Sequence, residues 1–412
     1  MDIPKKIVMQ QSTTRKKKVA IIGTVGLPAN YGGFETLTEH LVEEMGHKHD
    51  FTVYCSGKKY PKAKRKNHYC GARLKFLPFD ANGIQSIPYD TFSILHALFY
   101  ADVLLILGVA GAWILPFVKL FTNKKIIISI DGIEWKRDKW NLLARWYLFW
   151  AEGIAVKYSH IDISDNEAIQ DYTAARYGSL SRIIEYGGDH TLKVAIKKED
   201  PTMYPFLNEP YAFKVCRIEP ENNVHTVLEA FATLRSMPLV IVGNWDKSDY
   251  GRMLKANFSH YKNIHLFDPI YQQEKLDLLR SNATIYIHGH SAGGTNPSLV
   301  EAMSLGLPVI AFKVAYNKVT TEHQALYFND VHSLVEVVRT ADWTQMQYMG
   351  KVMAGIAERR YTWHYIARQY ERLVAEALQT SDKMSVVAEA QKVSYSQLLE
   401  LGHAHLKTNF NI

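Results

Sequence analysis

In this chain of 412 residues, those best able to do chemistry sit in three loops, each placed where an apolar run ends and a helical pattern begins. The strongest is His288-Gly289-His290-Ser291-Ala292-Gly293-Gly294-Thr295-Asn296-Pro297-Ser298, followed by a helical pattern whose first turns carry Glu301. Small residues at such a junction let backbone N–H groups approach an anion, and a helix start favours negative charge. The amides of residues 294–298 therefore suit phosphate oxygens, and Glu301 can accept hydrogen bonds from ribose hydroxyls. The second loop, Arg217-Ile218-Glu219-Pro220-Glu221-Asn222-Asn223, follows an apolar run at 212–216. An arginine at the end of a parallel strand points into the crevice where open sheets bind ligands, and its guanidinium can hold a diphosphate through two parallel hydrogen bonds. The third, Gly23-Thr24-Val25-Gly26-Leu27-Pro28-Ala29-Asn30-Tyr31-Gly32-Gly33-Phe34-Glu35, is rich in glycine but has neither the G-x-G-x-x-G fingerprint nor the Lys-Ser/Thr ending of a P-loop. Dehydrogenase and NTPase readings weaken accordingly.

Each loop also has an ordinary reading: a tight turn, a solvated arginine, a pair of strand-end histidines. His288 and His290 stand two apart with no third ligand in view, so a strand-end role is preferred to a metal site. Asp131 and Asp165 each follow a predicted strand, where an aspartate can touch a substrate or equally cap a helix or turn.

The elements that position these loops read as βαβ units around parallel sheets, because short apolar runs alternate with helical patterns. In the first half, residues 19–22, 51–55, 103–107, 126–130 and 161–164 are predicted strands, with helices at 36–45 and 142–157. The second half repeats the style at 212–216, 239–242, 264–267, 285–288 and 309–312. Two sheets and an α/β class follow. Charge and proline interrupt the pattern at Lys197-Lys198-Glu199-Asp200-Pro201 and again at Pro205 and Pro210, a linker composition. The expected organisation is a basic tail at 1–17, a first Rossmann-like domain at 18–195, a linker at 196–208, a second Rossmann-like domain at 209–360, and a crossover helix with a helical tail at 361–412.

A hydrophobic share of 47% against 22% charged residues is that of a folded globular chain. Three widely spaced cysteines indicate neither a disulfide framework nor a zinc knuckle, and they fit a reducing compartment. The basic stretch before Val19 has no apolar h-region, so a cytoplasmic location is expected. The net charge of +7 suits anionic substrates or an anionic membrane surface. Nucleic acid is disfavoured as a partner, since the basic residues are spread along the chain without a recognition motif. Residues 103–118 contain no charge, but Gly108, Gly111 and Pro116 divide them. About 20 uninterrupted apolar residues would be needed for a membrane span, so a buried strand, a turn and a helix are expected instead.

Together with Asp131-Gly132-Ile133-Glu134-Trp135-Lys136-Arg137, Asp165-Asn166-Glu167 and Tyr186-Gly187-Gly188-Asp189-His190, the three loops resemble those of the retaining glycosyltransferases of family four. Within that family the likeness is to a bacterial branch of polysaccharide rhamnosyltransferases, and it runs to about Arg372. The resemblance implies the GT-B fold, two Rossmann-like doubly wound domains facing a central cleft. It also implies retaining, metal-independent transfer of a sugar, rhamnose from dTDP-rhamnose first, from a nucleotide-diphosphate donor to a lipid-linked saccharide acceptor in cell-surface polysaccharide biosynthesis. Peripheral contact with the inner membrane face would accompany it. Donor contacts are expected from Gly32, Gly33, Arg217, Asn222, Gly293, Gly294, Thr295, Asn296, Ser298 and Glu301. Asp131, Arg217 and Asp165 are the catalytic candidates, with Tyr31, Glu35, Glu134 and Trp135 on the acceptor side. No cofactor is implied, and no Asp-x-Asp spacing offers a metal site.

Three positions depart from the family pattern. Family-four enzymes place glutamates eight positions apart, but eight before Glu301 stands Gly293. Five after Arg217, where a basic residue is usual, stands Asn222, and Val25 occupies a place often held by arginine in this branch. A binding or assembly subunit without catalysis, and a GT-B epimerase or hydrolase, are the competing readings.

Overall fold

The computed structural model describes residues 15–29, 32–130, 132–137 and 140–383. Tyr31, Asp131 and the tail beyond Lys383, all assigned roles above, lie outside the described residues.

The first half runs β1 (Lys17–Ile22), α1 (Gly33–Met45), β2 (His49–Ser56), β3 (His68–Tyr69), β4 (Ala72–Leu77), α2 (Ser86–Ala97), β5 (Val103–Leu107), α3 (Leu115–Phe121), β6 (Lys125–Ile130), α4 (Leu142–Tyr158), β7 (Ile161–Ser164), α5 (Glu167–Tyr177) and β8 (Arg182–Ile183). The second half runs α6 (Asp200–Met203), β9 (Ala212–Val215), α7 (Val224–Leu234), β10 (Leu239–Val242), α8 (Asp249–Phe258), β11 (Ile264–Phe267), α9 (Gln273–Ser281), β12 (Ile285–His288), α10 (Pro297–Ser304), β13 (Val309–Phe312), α11 (Ala315–Thr320), β14 (Leu326–Phe328), α12 (Val331–Thr340), α13 (Trp343–Arg360) and α14 (Trp363–Gln379). All ten predicted strands are present.

The first sheet has the order β3-β4-β2-β1-β5-β6-β7-β8 and the second β11-β10-β9-β12-β13-β14. Apart from the antiparallel β3–β4 pair, the ladders are parallel. Parallel strands covered on both faces should be apolar throughout. The sequence Val-Leu-Leu-Ile-Leu of β5 is, and all five residues are buried. Residues 103–118 thus divide into β5 and the start of α3. Among the described residues no helix is long and apolar enough to cross a membrane.

Each central strand sends alternate side chains to opposite cores. From β1, Val19 and Ile21 join the cluster beneath α1 and α14, while Ala20 and Ile22 join the cluster beneath α2, α3 and α4. The second sheet has its own core around Val227, Phe231, Ile241 and Trp245. After α13 the chain returns to the first sheet, where α14 is tied by Lys48 Nζ to Glu371 Oε1 at 2.8 Å and by Lys125 Nζ to the Thr380 carbonyl at 2.5 Å.

In both sheets the strand order reverses direction next to the first strand, between β1 and β5 and between β9 and β12. Such switch points open a crevice at the carboxyl ends of the strands, where ligands bind. The three candidate loops leave from those ends.

Candidate active site

On the second domain, the loop after β9 and the loop after β12 are hydrogen-bonded side by side. Asn223 Nδ2 donates to the Gly289 carbonyl at 2.8 Å, and the Ser291 amide and hydroxyl both donate to the Glu221 carbonyl at 2.9 Å. Asn222 Nδ2 closes the first loop on the Arg217 carbonyl at 2.6 Å. A side chain at Gly289 is excluded, because its Cβ would stand 2.3 Å from the Asn222 carbonyl oxygen. Arg217 stays one-third exposed over this junction, its Nε 3.7 Å from Glu219 Oε2.

Lys214, on β9, is a residue the sequence reading did not single out. It is 1% exposed, its ammonium pairs with no described carboxylate, and burial lowers its pKa. A Cβ on Gly289 would lie 2.8 Å from its Nζ. Beside it the rings of His288 and His290 stack with centroids 4.6 Å apart. Burial holds both imidazoles well below the usual histidine range, so they are neutral. After burial and His288, the charges that press on His290 are Lys214, Arg217 and Arg137, the last from the first domain. Lys214 lies under Gly289, Arg217 follows β9 and Arg137 stands beside Glu221, so three cations lie around this end of the second sheet. His288 Nδ1 and Nε2 and Asn222 Oδ1 are buried there without a hydrogen-bond partner among the described residues. No group of three or more His, Cys, Asp or Glu among those residues converges on a metal position.

The rest of the loop feeds α10. Asn296 caps that helix, its Oδ1 accepting from the Ser298 amide at 3.1 Å and the Ser298 hydroxyl at 2.7 Å. Leu299 and Val300 amides bond to the Asn296 carbonyl, and Pro297 has no amide hydrogen. Of the amides expected to meet phosphate, that of Ser298 is thus spent on the helix cap and residue 297 has none. Those of Gly294, Thr295 and Asn296 make no hydrogen bond among the described residues.

The first domain supplies the opposite wall. Glu35 turns back on the glycine loop, its Oε1 accepting from the Val25 amide at 2.6 Å and the Thr24 hydroxyl at 3.1 Å. Gly32 lies so close that a Cβ there would be 2.1 Å from Glu35 Oε2. Gly33, opening α1, faces Pro297 across the cleft, 3.2 Å from where its Cβ would be. Trp135 packs into the core with its indole donating to Tyr172 Oη at 3.2 Å. Glu134 accepts from Arg137 Nε at 3.0 Å, and that same Nε is 3.8 Å from Glu221 Oε1 of the second domain.

Asp165 and Asn166 make the closest contacts between walls. Thr295 Oγ1 donates to the Asp165 carbonyl, and Asn166 Nδ2 reaches Thr295 Oγ1 and Thr320 Oγ1 at 3.2 Å each. A Cβ on Gly294 would fall 1.8 Å from Asp165 Oδ1. Gly294→Ala must therefore displace the Asp165 carboxylate from the contact between the walls while leaving each domain core intact. We expect its donor kcat/KM to fall about tenfold, equivalent to ~1.4 kcal/mol, at an unchanged melting temperature. Steady-state kinetics with thermal unfolding checks this, and an unaltered kcat/KM would mean the contact is irrelevant to turnover.

Glu301, expected to meet a ribose, is held by two partners. Arg280 Nη1 donates to its Oε2, and His190 Nε2 donates to its Oε1 at 3.3 Å. Burial acts to raise the Glu301 pKa, but the Arg280 guanidinium and then His190 outweigh it and bring it to about 2. Arg280 also donates to Asp277 Oδ1 at 2.6 Å, and Asp277 Oδ2 accepts the Leu192 amide at 3.0 Å. His190 is oriented by the Trp363 indole, which donates to its Nδ1 at 3.0 Å. The strap Tyr186-Gly187-Gly188-Asp189-His190 can thread this space because its glycines are squeezed from both sides. A Cβ on Gly187 would be 2.4 Å from the Trp363 ring, and one on Gly188 2.5 Å from the Val300 carbonyl.

Known proteins provide the frame for this geometry. Residues 16–189 match a family described as a domain of unknown function, DUF1972, and residues 197–341 match the family described as glycosyl transferases group 1. No curated protein sequence matches the chain. Among solved structures, sucrose-phosphate synthase from Thermosynechococcus elongatus superposes with a TM-score of 0.74 at 16% identity, over 88% of this chain and 99% of that one. Anabaena HepE in complex with UDP and glucose gives 0.68 at 15% identity over 87% and 100%. A glycosyltransferase from Rickettsia africae gives 0.66 at 13% over 89% and 100%. At such identities the superpositions speak for the fold. The chain therefore has the GT-B fold, and its residues 197–341, which bear Lys214, Arg217 and the 293–301 loop, match the family described as glycosyl transferases group 1.

Proposed function

We propose that the protein is a retaining glycosyltransferase that takes a sugar from a nucleoside-diphosphate donor held at the β9/β12 switch point. The observation that carries this reading is the placement of Lys214 beneath Gly289, and of Arg217 and the amides of residues 294–296, at the β9/β12 switch point, with Arg137 of the first domain beside Glu221. Breaking a sugar–phosphate bond builds negative charge on the leaving diphosphate, and preorganised cations and amides lower that barrier. Asn222 leaves the place of a second diphosphate-binding cation empty in the loop, and Lys214, three residues before Arg217 on the strand, supplies it from below.

In the transfer itself the C1–O bond to the diphosphate breaks with its electron pair going to the phosphate. The acceptor hydroxyl attacks C1 from the same face and passes its proton to a phosphate oxygen. No protein nucleophile is needed. Asp131 and Asp165 are assigned to the reacting sugar or acceptor, and Gly32, Gly33, Gly293, Gly294 and Thr295 to close backbone approach. Glu301 contacts the ribose with a carboxylate that Arg280 keeps ionised. Neighbours whose structures hold UDP and glucose support a nucleotide-sugar donor. Rhamnose from dTDP-rhamnose and a lipid-linked acceptor rest on the resemblance of the loops.

The test is a thermal-shift comparison of dTDP, UDP and GDP sugars, followed by nucleotide release from the best donor with and without acceptor. A ligand at about 100 times its Kd stabilises the fold by ~2.7 kcal/mol, so one donor is expected to raise the melting temperature selectively and its release to require acceptor. Stabilisation without release would favour a binding subunit, and release without acceptor a hydrolase.

A further inference from the structure

In the function proposed above Glu301 meets the ribose, and a carboxylate recognises sugar hydroxyls only if its plane is fixed. The terminal torsion of a glutamate is broad, so a single partner on one oxygen leaves the other oxygen free to swing. Here both oxygens are held: Arg280 Nη1 donates to Oε2, and His190 Nε2 stands 3.3 Å from Oε1. An ionised carboxylate has about four lone-pair sites, so each oxygen keeps one for a sugar hydroxyl.

Trp363 decides which nitrogen of His190 carries the hydrogen. An indole N–H can only donate, and that of Trp363 points at His190 Nδ1 from 3.0 Å. Nδ1 is therefore the acceptor, and the ring N–H is on Nε2, the atom that faces Glu301. The other tautomer would set two N–H groups against each other and aim a lone pair at a carboxylate. Trp363 is itself fixed. Its amide donates to Asp189 Oδ1 at 2.8 Å, and its ring stacks on His40 of α1 with centroids 4.4 Å apart. The strap meanwhile keeps its course without the imidazole, since the Gly188 amide donates to the Tyr361 carbonyl at 2.8 Å and the Thr191 hydroxyl to the Gly188 carbonyl at 2.9 Å.

We propose that His190 is a positioning residue for donor recognition: with its tautomer set by Trp363, it fixes Glu301 so that the carboxylate distinguishes a nucleoside diphosphate bearing ribose hydroxyls from one without them. This inference rests on the nucleoside-diphosphate reading of the site and adds the device that makes the ribose contact selective. Because His40 and Trp363 stand on α1 and α14, over the first sheet, while Glu301 belongs to α10 of the second domain, the contact is complete only when the two domains are docked.

Calorimetric titration of the full chain with UDP against dideoxy-UDP, and with dTDP against the analogue lacking its one sugar hydroxyl, reads the preference for those hydroxyls. The parent is expected to prefer the hydroxylated member of at least one pair. His190→Leu is expected to lose about tenfold of that preference, the scale of one hydrogen bond to a charged group. His190→Gln carries an amide N–H near the place of Nε2 and should restore the preference, whereas the polar atoms of His190→Asn end at the place of Nδ1 and should not. The glutamine and asparagine variants decide the point even where leucine prevents folding. Trp363→Phe keeps a ring against His40 without the N–H, and should cost part of the preference in the parent and nothing further in His190→Leu. A purely structural role would weaken both members of each pair equally and leave their ratio alone. An unchanged preference in His190→Leu, or equal rescue by glutamine and asparagine, overturns the inference and leaves the diphosphate site standing. A parent that binds these nucleotides without preferring the hydroxyls takes Glu301 away from the ribose, and one that binds neither pair removes the proposed function as well; the inference falls with either.

Discussion

Arg217→Ala should slow sugar transfer about 10²- to 10³-fold, a loss of ~2.7 to 4 kcal/mol of barrier lowering, with the fold unaltered. The magnitude is that of removing one preorganised donor from a developing anion. Stability is spared because the loop is tied through the carbonyl of residue 217, which alanine keeps, to Asn222 Nδ2. Lys214→Met is the companion. Burial lowers the Lys214 pKa, so the folded state disfavours the ammonium at every pH below its ordinary value of 10.5. Removing it should raise stability in urea while weakening nucleoside-diphosphate binding. Opposite signs in the two measurements are what a ligand-binding cation produces. A lysine that merely completed the core would lose stability and leave affinity alone, and unchanged turnover in Arg217→Ala would remove the diphosphate from this site altogether.

Arg280→Ala carries the second large effect, an expected loss of about 3–5 kcal/mol in folding free energy. Arg280 and Asp277 are 0% exposed, and the guanidinium answers both Asp277 and Glu301. Without it two carboxylates are left in a dry setting, one of them Asp277, which accepts the Leu192 amide. The pH dependence has a definite sign. Glu301 has a folded pKa of about 2, below its ordinary 4.5, so its contribution is present above pH 4.5 and is lost as pH falls toward 2. In Arg280→Ala burial is opposed by His190 alone, and the acid limb of the stability curve should move to higher pH. Urea unfolding over a pH series reads both effects, and an acid limb superimposable on that of the parent would show that Arg280 does not control Glu301.

The strands were legible because their physics is local. A run such as Val-Leu-Leu-Ile-Leu has no solvated face wherever it is placed, and only a central parallel strand accommodates it. β4 escaped the same reading because Arg73 and Lys75 alternate with Ala72 and Leu74, as suits a strand near the sheet edge with one face in water. β14 escaped because it has only three residues.

The candidate site was legible in its loops and less so in its partners. Glycine and arginine at strand ends announced the switch points. Lys214 did not, since one lysine inside Ala-Phe-Lys-Val reads as the solvated position of a half-exposed strand. The signal was present in its place three residues before Arg217, but its meaning required the cover on both faces of β9. Glu35 and Glu134, expected on the acceptor side, also brace the glycine loop and Arg137, which depends on backbone turns that spacing does not report.

What the amino-acid order determined alone was therefore the inventory of this protein: apolar runs of strand length, helices between them, and small or charged residues at the junctions. Those follow from sterics and solvation acting over a few neighbouring residues. Tertiary structure alone decided that Lys214, Arg217 and Arg137 lie around the β9/β12 switch point, that Gly294 lies against Asp165, and that Glu301 is paired with Arg280. Such contacts join residues from 21 to 130 positions apart and more, and their energies exist only after the sheets have folded.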